Sequence, residues 1–387
     1  MPTSLDTNLF TLTGSMASHR GAVHALSVTD EGRYLASGGS DGVKIWNMTS
    51  FKEVPIAATW RGAATALLWL RRPDRAEEIL IYGTSTGFIG GWRQEVVDST
   101  NFTEIVKGYM AKHSKVTSLA FNPANDNIAA ANYRGVVQIY HLNDTYNLDN
   151  IFMSNLGKII PKHVAFWSEL PWQTKDIIVF NAESEHMFEP SLHEMIRTHQ
   201  SRDRYILRHT DGKIIGQHQL GCKAIHTQTH DSESLAVIQE PAQGLALYDL
   251  RDFSRIDLFV AKITKDDNKT CPVAISEDGR LIASGTDRGV VYIFERWSGN
   301  CLDTMKTHSE DRWIEAVCFT SDRFGVVMLV SHCQDGGNLN PIQVWRLKAD
   351  VHRAIGLRQM WPRLLVHFVF FGLLFLSSWS VIQIHFV

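Results

Sequence analysis

A repeat of roughly 46 residues runs through most of this 387-residue chain and limits its fold more than any other feature. Its clearest copy is SHRGAVHALSVTDEGRYLASGGSDGVKIW, which ends at Trp46. The copy reads as an alternating strand, a DEG turn, a second strand, a Gly/Ser/Asp turn and a third strand closed by an aromatic residue. A second good copy, TCPVAISEDGRLIASGTDRGVVYIF, ends at Phe294. The pattern therefore predicts a β unit that recurs along the chain.

Weaker copies of the same unit predict the number of repeats. A gap of 108 residues between Tyr140 and Tyr248 is about two periods, so one further copy is placed there with Leu207 in the aromatic slot. The predicted closing residues are then Trp46, Trp92, Tyr140, Leu207, Tyr248, Phe294 and Trp345. A period of about 40 to 45 residues built from short strands is typical of propeller blades. The sequence thus predicts an all-β propeller of seven blades.

These residues resemble the WD-repeat family over roughly residues 9 to 347. In that family a His, a Ser or Thr, an Asp and a Trp of one blade form a hydrogen-bonded tetrad. The resemblance assigns this tetrad to His19, Ser37, Asp41 and Trp46. Other copies depart from the pattern, since Arg134 and Arg288 occupy the Asp slot in two of them. The chain is also similar to WD-repeat proteins of fungi, some with a hydrophobic C-terminal tail, and this likeness adds no activity.

The ends of the chain and one long spacing complete the predicted domain organisation. Residues 1–7 form a short tail, residues 8–348 form the propeller, and residues 8–19 supply the strand that closes the ring beside Trp345. The spacing of 67 residues before Leu207 exceeds the others by about 20 residues. This excess predicts an insertion at 182–203, between the second and third strands of blade 4.

A hydrophobic segment ends the chain. Residues 364–387 contain no Asp, Glu, Lys or Arg, and a helix of this length spans about 36 Å, enough to cross a bilayer core of about 30 Å. We expect one transmembrane helix, whose span includes Leu364, Phe371, Gly372, Trp379 and Val387. A basic linker at 349–363 precedes it, so the positive-inside rule leaves the propeller in the cytosol. The protein is therefore expected to be a single-pass, tail-anchored membrane protein.

Composition and motifs exclude several other classes of function. The formal charge of −3 and a single short basic run, RRPDR at 71–75, do not favour nucleic-acid binding, and the run is interpreted as a solvated loop. The five cysteines include no CxxC pair, so no zinc site is expected and the thiols are taken as reduced. No phosphate-binding loop or nucleophile elbow is present. We expect no enzymatic activity, no cofactor and no small-molecule substrate.

One face of the ring is the predicted binding surface for other proteins or peptides. In the resembled family, loops on the side of His19 hold peptides, and a basic rim there would favour acidic or phosphorylated segments. The residues assigned to this face by analogy are Arg20, Ser40, Arg61, Lys115, Arg134, Arg288 and Trp313. The insertion adds Met187, Phe188 and Leu192 as a candidate docking element, with a solvated loop as the alternative.

The favoured hypothesis is thus a non-catalytic interaction scaffold tethered to a cytosol-facing membrane. Two alternatives stay open. Tyr248 to Arg251 reads YDLR, a degenerate form of the WDxR box by which propellers act as substrate receptors of cullin-RING ubiquitin ligases, and Arg251 would contact the ligase adaptor. The seven histidines between His186 and His230 could converge on a metal ion, although their spacing is irregular.

Overall fold

The fold is described from a computed structural model. The described residues are 8–57, 60–95, 101–157, 159–168, 173–182, 204–218, 226–230, 232, 234–240, 244–260, 271–307, 312–332 and 340–348. Their strands form seven antiparallel sheets of four strands each. The innermost strands contact one another in the cyclic order β2, β6, β10, β14, β18, β22, β26 and back to β2. The chain is therefore a seven-bladed propeller, as the repeat predicts.

Six blades take their four strands consecutively from the chain. Blade 1 contains β2 (Val23–Val28), β3 (Tyr34–Gly39), β4 (Gly42–Asn47) and β5 (Lys52–Val54). Blade 2 contains β6 (Ala64–Leu70), β7 (Ile79–Thr84), β8 (Phe88–Gln94) and β9 (Phe102–Tyr109). Blade 3 contains β10 (Val116–Asn122), β11 (Asn127–Asn132), β12 (Val136–Leu142) and β13 (Leu148–Asn155). Blade 4 contains β14 (Ile160–Trp167), β15 (Asp176–Ala182), β16 (Arg204–Leu207) and β17 (Ile214–His218). Blade 5 contains β18 (Thr227–His230), β19 (Leu235–Glu240), β20 (Gly244–Asp249) and β21 (Arg255–Phe259). Blade 6 contains β22 (Val273–Ile275), β23 (Leu281–Gly285), β24 (Val290–Glu295) and β25 (Cys301–Lys306).

Blade 7 is assembled from both ends of the propeller. It contains β26 (Ile314–Asp322), β27 (Gly325–His332), β28 (Asn340–Leu347) and, as its outermost strand, β1 (Phe10–His19). Leu12 lies opposite Trp345, and Met16 lies opposite Ile342. The backbone N–H of Lys348 donates to the carbonyl of Leu9 over 2.9 Å. Pairing of this kind leaves no open edge between the first and last blades.

The hydrophobic core lies in layers between neighbouring blades. All seven predicted closing residues, from Trp46 to Trp345, lie in the third strand of their sheets and are buried. The central strands read as nearly continuous apolar runs, such as ILIY at the start of β7, because each sheet is covered on both faces. The burial therefore explains why the aromatic slot recurs.

Two predicted segments lie outside the described residues. β15 ends at Ala182 and β16 begins at Arg204, so the insertion falls in the connection between them, which contains Met187, Phe188 and Leu192. The predicted span at 364–387 is likewise outside. In the part of the chain that the structure describes, no helix is long and apolar enough to cross a membrane.

The short basic run at 71–75 is only in part the solvated loop that the sequence interpretation expects, since Arg72 and Arg75 are not exposed. Arg72 is 2% exposed, and its guanidinium donates to the carbonyls of Leu142 and Asn143. Arg75 donates to the Tyr146 hydroxyl over 2.8 Å. Both arginines also lie over the Tyr146 ring. The turn after β6 therefore joins blade 2 to blade 3.

Candidate functional site

The strand order gives the propeller two faces with different connections. We call upper the face that carries the connections between blades and between the second and third strands of a blade. The lower face carries the other two kinds of turn. His19 precedes β2 and Asp41 lies between β3 and β4, so both belong to the upper face. The chain leaves β28 at Lys348 on the lower face.

A hydrogen-bonded network crosses blade 1 from its upper turn to its third strand. His19 Nδ1 is 2.5 Å from Asp41 Oδ1, and His19 Nε2 is 2.6 Å from Ser37 Oγ. The indole N–H of Trp46 donates to Ser37 Oγ over 2.8 Å. The backbone N–H of Arg20 donates to Asp41 Oδ2 over 3.0 Å. The four residues that the family resemblance assigned to the tetrad are thus connected in one chain.

The network keeps its histidine neutral. Burial lowers the pKa of His19, and this outweighs the opposite effect of Asp41. Burial alone would raise the pKa of Asp41, but hydrogen bonds from His19 and from the Arg20 backbone leave that pKa below its ordinary value. A neutral His with an ionised Asp gives His19 one donor and one acceptor nitrogen. The side chains of His19, Ser37 and Asp41 are therefore occupied by bonds within the blade.

Three blades without the tetrad support the same upper turn in another way. The backbone N–H of the residue four positions later donates to a Thr or Asn side chain at the end of the second strand: Phe88 to Thr84, Val136 to Asn132 and Val290 to Thr286. The glycine of each turn has a positive φ, at 83° for Gly87, 76° for Gly135 and 69° for Gly289. Such a turn needs no aspartate. Sequence reasoning missed this device, whose signature is Thr or Asn three residues before Gly in TSTG, NYRG and TDRG.

The loss of the aspartate leaves arginine at the surface in two blades. Arg134 and Arg288 occupy the slot that Asp41 fills in blade 1, and both side chains are exposed. Their backbone N–H groups donate to Asn132 and Thr286. Because the turn is supported by its neighbour, the arginine side chain is not required for the fold.

The predicted binding-face residues fall into two groups on the upper face. Blades 1 to 3 carry Arg20, Ser40, Arg61, Lys115 and Arg134. Arg288 and Trp313 lie in blades 6 and 7, where the Ile314 N–H donates to the Thr286 carbonyl over 2.9 Å. Within the first group, the Tyr133 N–H donates to the Lys115 carbonyl over 2.8 Å. Lys115 also lowers the pKa of His24 in blade 1, after the larger effect of burial.

Exposed aromatic residues accompany the first group and were missed from the sequence. Trp60 is 71% exposed, Tyr109 is 49% exposed and Tyr133 is 44% exposed. The Arg61 guanidinium lies 4.9 Å from the centre of the Phe88 ring, which packs edge-on against Tyr109 at 5.2 Å. Two of these aromatics immediately precede Arg and Gly, in WRG and YRG. That repeated tripeptide is the signal that could have found them.

The upper connections of blades 1 to 3 are basic. By sequence, residues 20–22, 40–41, 55–63, 85–87, 110–115 and 133–135 hold five Lys or Arg residues and one carboxylate. That carboxylate is Asp41, which is bound by His19. We call the side chains of Arg20, Trp60, Arg61, Tyr109, Lys112, Lys115, Tyr133 and Arg134 the basic-aromatic sector. Its charge contrasts with the net charge of −3 for the whole chain.

The described histidines of the 186–230 stretch have separate partners. His209 Nδ1 is 2.8 Å from Asp176 Oδ1, His218 stacks on Phe253, and His230 Nε2 is 2.8 Å from the Glu277 carbonyl. Within the described ranges, no three His, Cys, Asp or Glu side chains are grouped closely enough to hold a metal ion. His186, His193 and His199 lie outside those ranges.

Arg251 lies on the lower face in the turn after β20. Its Nη2 atom is 2.5 Å from Asp249 Oδ2, and its Nε atom is 2.9 Å from Asp249 Oδ1. This pair raises the pKa of Arg251. The proposed adaptor contact is therefore at the surface, with its guanidinium bound by a neighbouring carboxylate.

Comparison with known proteins finds one family match. The family described as WD domain, G-beta repeat matches residues 10–47. The matched segment begins in the closing strand and ends just after Trp46, so it contains the complete tetrad. No curated protein matches the chain.

Proposed function

The repeat match and the seven-bladed ring together support a WD-repeat propeller, a fold that is generally a protein-interaction scaffold, and on this premise we propose a specific role. The protein is a non-catalytic scaffold whose upper face binds an acidic or phosphorylated segment of another protein. Its hydrophobic C-terminal segment tethers it to a cytosol-facing membrane.

The basic-aromatic sector is the observation that carries the proposal. Binding hot spots are enriched in Trp, Tyr and Arg, since aromatic rings bury much area and guanidinium groups bind carboxylates and phosphates in pairs of hydrogen bonds. Trp60 and Arg61 provide this combination in blade 2, and Tyr133 and Arg134 provide it in blade 3. The Arg61 guanidinium lies 4.9 Å from the centre of the Phe88 ring, a contact that orders it for binding an acidic partner.

The tetrad supports a role without catalysis. The residue types that most often act as nucleophile, base and acid are present in blade 1 as Ser37, His19 and Asp41. Each is buried or half-buried and bound to another member of the network. A base held neutral and saturated in this way has no free position toward a substrate.

The tether is supported by the sequence of the tail and by the position of Lys348. The chain leaves the propeller on its lower face at Lys348, and the apolar segment begins 16 residues later. The tail therefore leaves the propeller on the face opposite the basic-aromatic sector. Partner binding and membrane attachment then use opposite faces of the ring.

Binding is tested with charge reversals in the full-length protein. We expect Arg61→Glu combined with Arg134→Glu to reduce affinity for acidic and phosphorylated peptides by at least tenfold, equivalent to about 1.4 kcal/mol. Lys213→Glu is the matched control, because Lys213 is exposed in a turn of the lower face of blade 4. Equal binding by all three proteins would contradict the proposal.

The tether is tested separately by fractionation of cells. The intact protein should stay with membranes after alkaline carbonate extraction, whereas a version that ends at Arg353 should be released. Proximity labelling with the same two proteins would identify neighbours that depend on the tail. Release of the intact protein would show that the segment is not a span.

A further inference from the structure

Two exposed aromatic residues flank the point where the chain leaves the lower face. Phe324, 64% exposed, lies in the turn between β26 and β27, and Trp297, 47% exposed, lies in the turn between β24 and β25. Each follows an arginine whose guanidinium lies over its ring, 4.5 Å from Trp297 for Arg296 and 4.6 Å from Phe324 for Arg323. The same Arg-aromatic pair thus occurs at two turn tips of adjacent blades.

Contacts connect both turns to the exit of the chain. On one side is Arg346, two residues before Lys348, whose guanidinium lies 5.3 Å from the centre of the Phe324 ring. On the other side, Asp303 of β25 accepts a hydrogen bond from the Leu9 N–H, and the Leu9 carbonyl accepts one from the Lys348 N–H. The two aromatic tips therefore lie on either side of Lys348.

Cationic groups stand beside both aromatic rings, and the linker that follows adds a positive surplus. The stretches ERW at 295–297, DRF at 322–324 and RLK at 346–348 contain four basic and two acidic residues, and two further carboxylates lie close by, Asp257 beside Gly299 and Asp303 beside Leu9. One of the acids, Asp322, is bound by Arg346 through two hydrogen bonds of 2.6 and 2.7 Å. The linker at 349–363 adds three arginines and one aspartate. Elsewhere the lower face is mixed in sign, with pairs such as Arg71 and Glu31.

We infer that these two turns dock on the anionic surface of the membrane that holds the tail, a step that rests on the proposed tether. Tryptophan and phenylalanine rings enter the boundary between headgroups and acyl chains, while arginines remain at the level of the phosphates. Trp297 and Phe324 would enter this boundary, and Arg296, Arg323 and Lys348 would lie against the headgroups.

The tether allows two turns with so small a contact area to bind the membrane. The linker of 15 residues can extend to about 50 Å, so the tail alone does not force the propeller onto the bilayer. It does hold the lower face near the membrane at an effective concentration of order millimolar. Two aromatic tips with cationic neighbours can then bind, although they would be too weak in a free protein. Docking would fix the direction of the upper face.

Hydrogen exchange of the full chain tests the inference. The protein is inserted into vesicles that contain anionic phospholipid, and exchange of the amides at 296–300 and 322–325 is compared with that in neutral detergent. We expect exchange to be several-fold slower on vesicles. The combined change Trp297→Asp and Phe324→Asp should remove this protection, whereas Trp60→Asp, on the upper face, should keep it.

The outcomes separate this inference from the tether. If carbonate strips the unchanged protein from the vesicles, the tether is wrong and docking is wrong with it. If the protein resists carbonate but both turns exchange equally in vesicles and detergent, only docking is wrong.

Discussion

Asp303 in blade 6 accepts a hydrogen bond from the backbone N–H of Leu9, 2.6 Å away and 294 positions earlier in the chain. A second bond, from the Phe10 N–H, reaches the same oxygen over 3.3 Å. These bonds fix the position of the chain where β1 starts and where its pairing with β28 begins. One side chain thus connects the closing strand to the preceding blade.

We predict that Asp303→Ala weakens ring closure. The change leaves the backbone N–H groups of the half-buried Leu9 and the buried Phe10 without their acceptor, so the free energy of unfolding should fall by about 1 to 3 kcal/mol. Urea titration measures the change. Thr304→Ala, on the exposed side of the same strand, is the control and should have little effect. Equal losses in both variants would assign the effect to the strand and not to the carboxylate.

Trp46→Phe should destabilise blade 1, because it removes one hydrogen bond and leaves a small space beside the smaller ring. Phe294 already occupies the corresponding slot in blade 6, where it is buried, so a phenyl ring fits this position in the fold. The change removes the N–H that donates to Ser37 Oγ. We expect a loss of about 1 to 2 kcal/mol in the free energy of unfolding. Unchanged stability would show that the His19 to Ser37 bond alone supports the blade.

Two half-buried histidines with lowered pKa values predict a loss of stability in mild acid. Burial, with a smaller effect of His226, lowers the pKa of His163 to about 3, and burial with Lys162 lowers that of His226 to about 4. The unfolded chain takes up these protons below its ordinary pKa of 6.5, whereas the folded chain does not. Stability should therefore be full above pH 6.5 and fall as the pH decreases below it. At pH 5 each of the two histidines should lower the free energy of unfolding by about 2 kcal/mol relative to its value above pH 6.5.

Denaturant titrations between pH 7.5 and 5 measure this dependence. Carboxylates such as Asp41, whose pKa is below its ordinary value, do not lose their charge in this window. Replacing His163 by Gln keeps a hydrogen-bonding group near Thr229, which lies 3.1 Å from the imidazole, and should reduce the slope. A slope that does not change in the variant would mean that His163 is protonated in the folded chain.

Arg72→Met should weaken the contact between blades 2 and 3. The variant keeps the length of the side chain but removes the donors to the carbonyls of Leu142 and Asn143. Because the site is buried, we expect a loss of about 2 to 3 kcal/mol in the free energy of unfolding. Arg71→Met is the matched control, since Arg71 pairs at the surface with Glu31 and should contribute little.

The sequence predicted the blades well because each third strand needs a large buried residue at one position. Leu207 was placed in that slot from spacing alone, and it lies in β16 and is buried. The closing strand was also recognisable, since Phe10, Leu12 and Met16 alternate and Phe10 and Met16 are buried against blade 7. Both features are repeated local patterns that depend little on distant contacts.

Features that depend on neighbouring blades were not predictable. Arg72 appears in a polar run, and only the approach of Leu142, 70 positions later, explains its burial. Trp60 reads as a core residue by type, but its loop leaves it at the surface. The turn supports at Thr84, Asn132 and Thr286 were hidden because they replace an aspartate with a different geometry.

The pairing of β28 also has a mechanical consequence. This strand is hydrogen-bonded on one edge to β27 and on the other to β1, and the rest of the chain follows directly from its lower end. A force on the C-terminal segment acts along the strand, so the bonds of both ladders are loaded together in shear and do not open one after another. The arrangement that completes the ring is therefore also the one that resists extraction of its last strand.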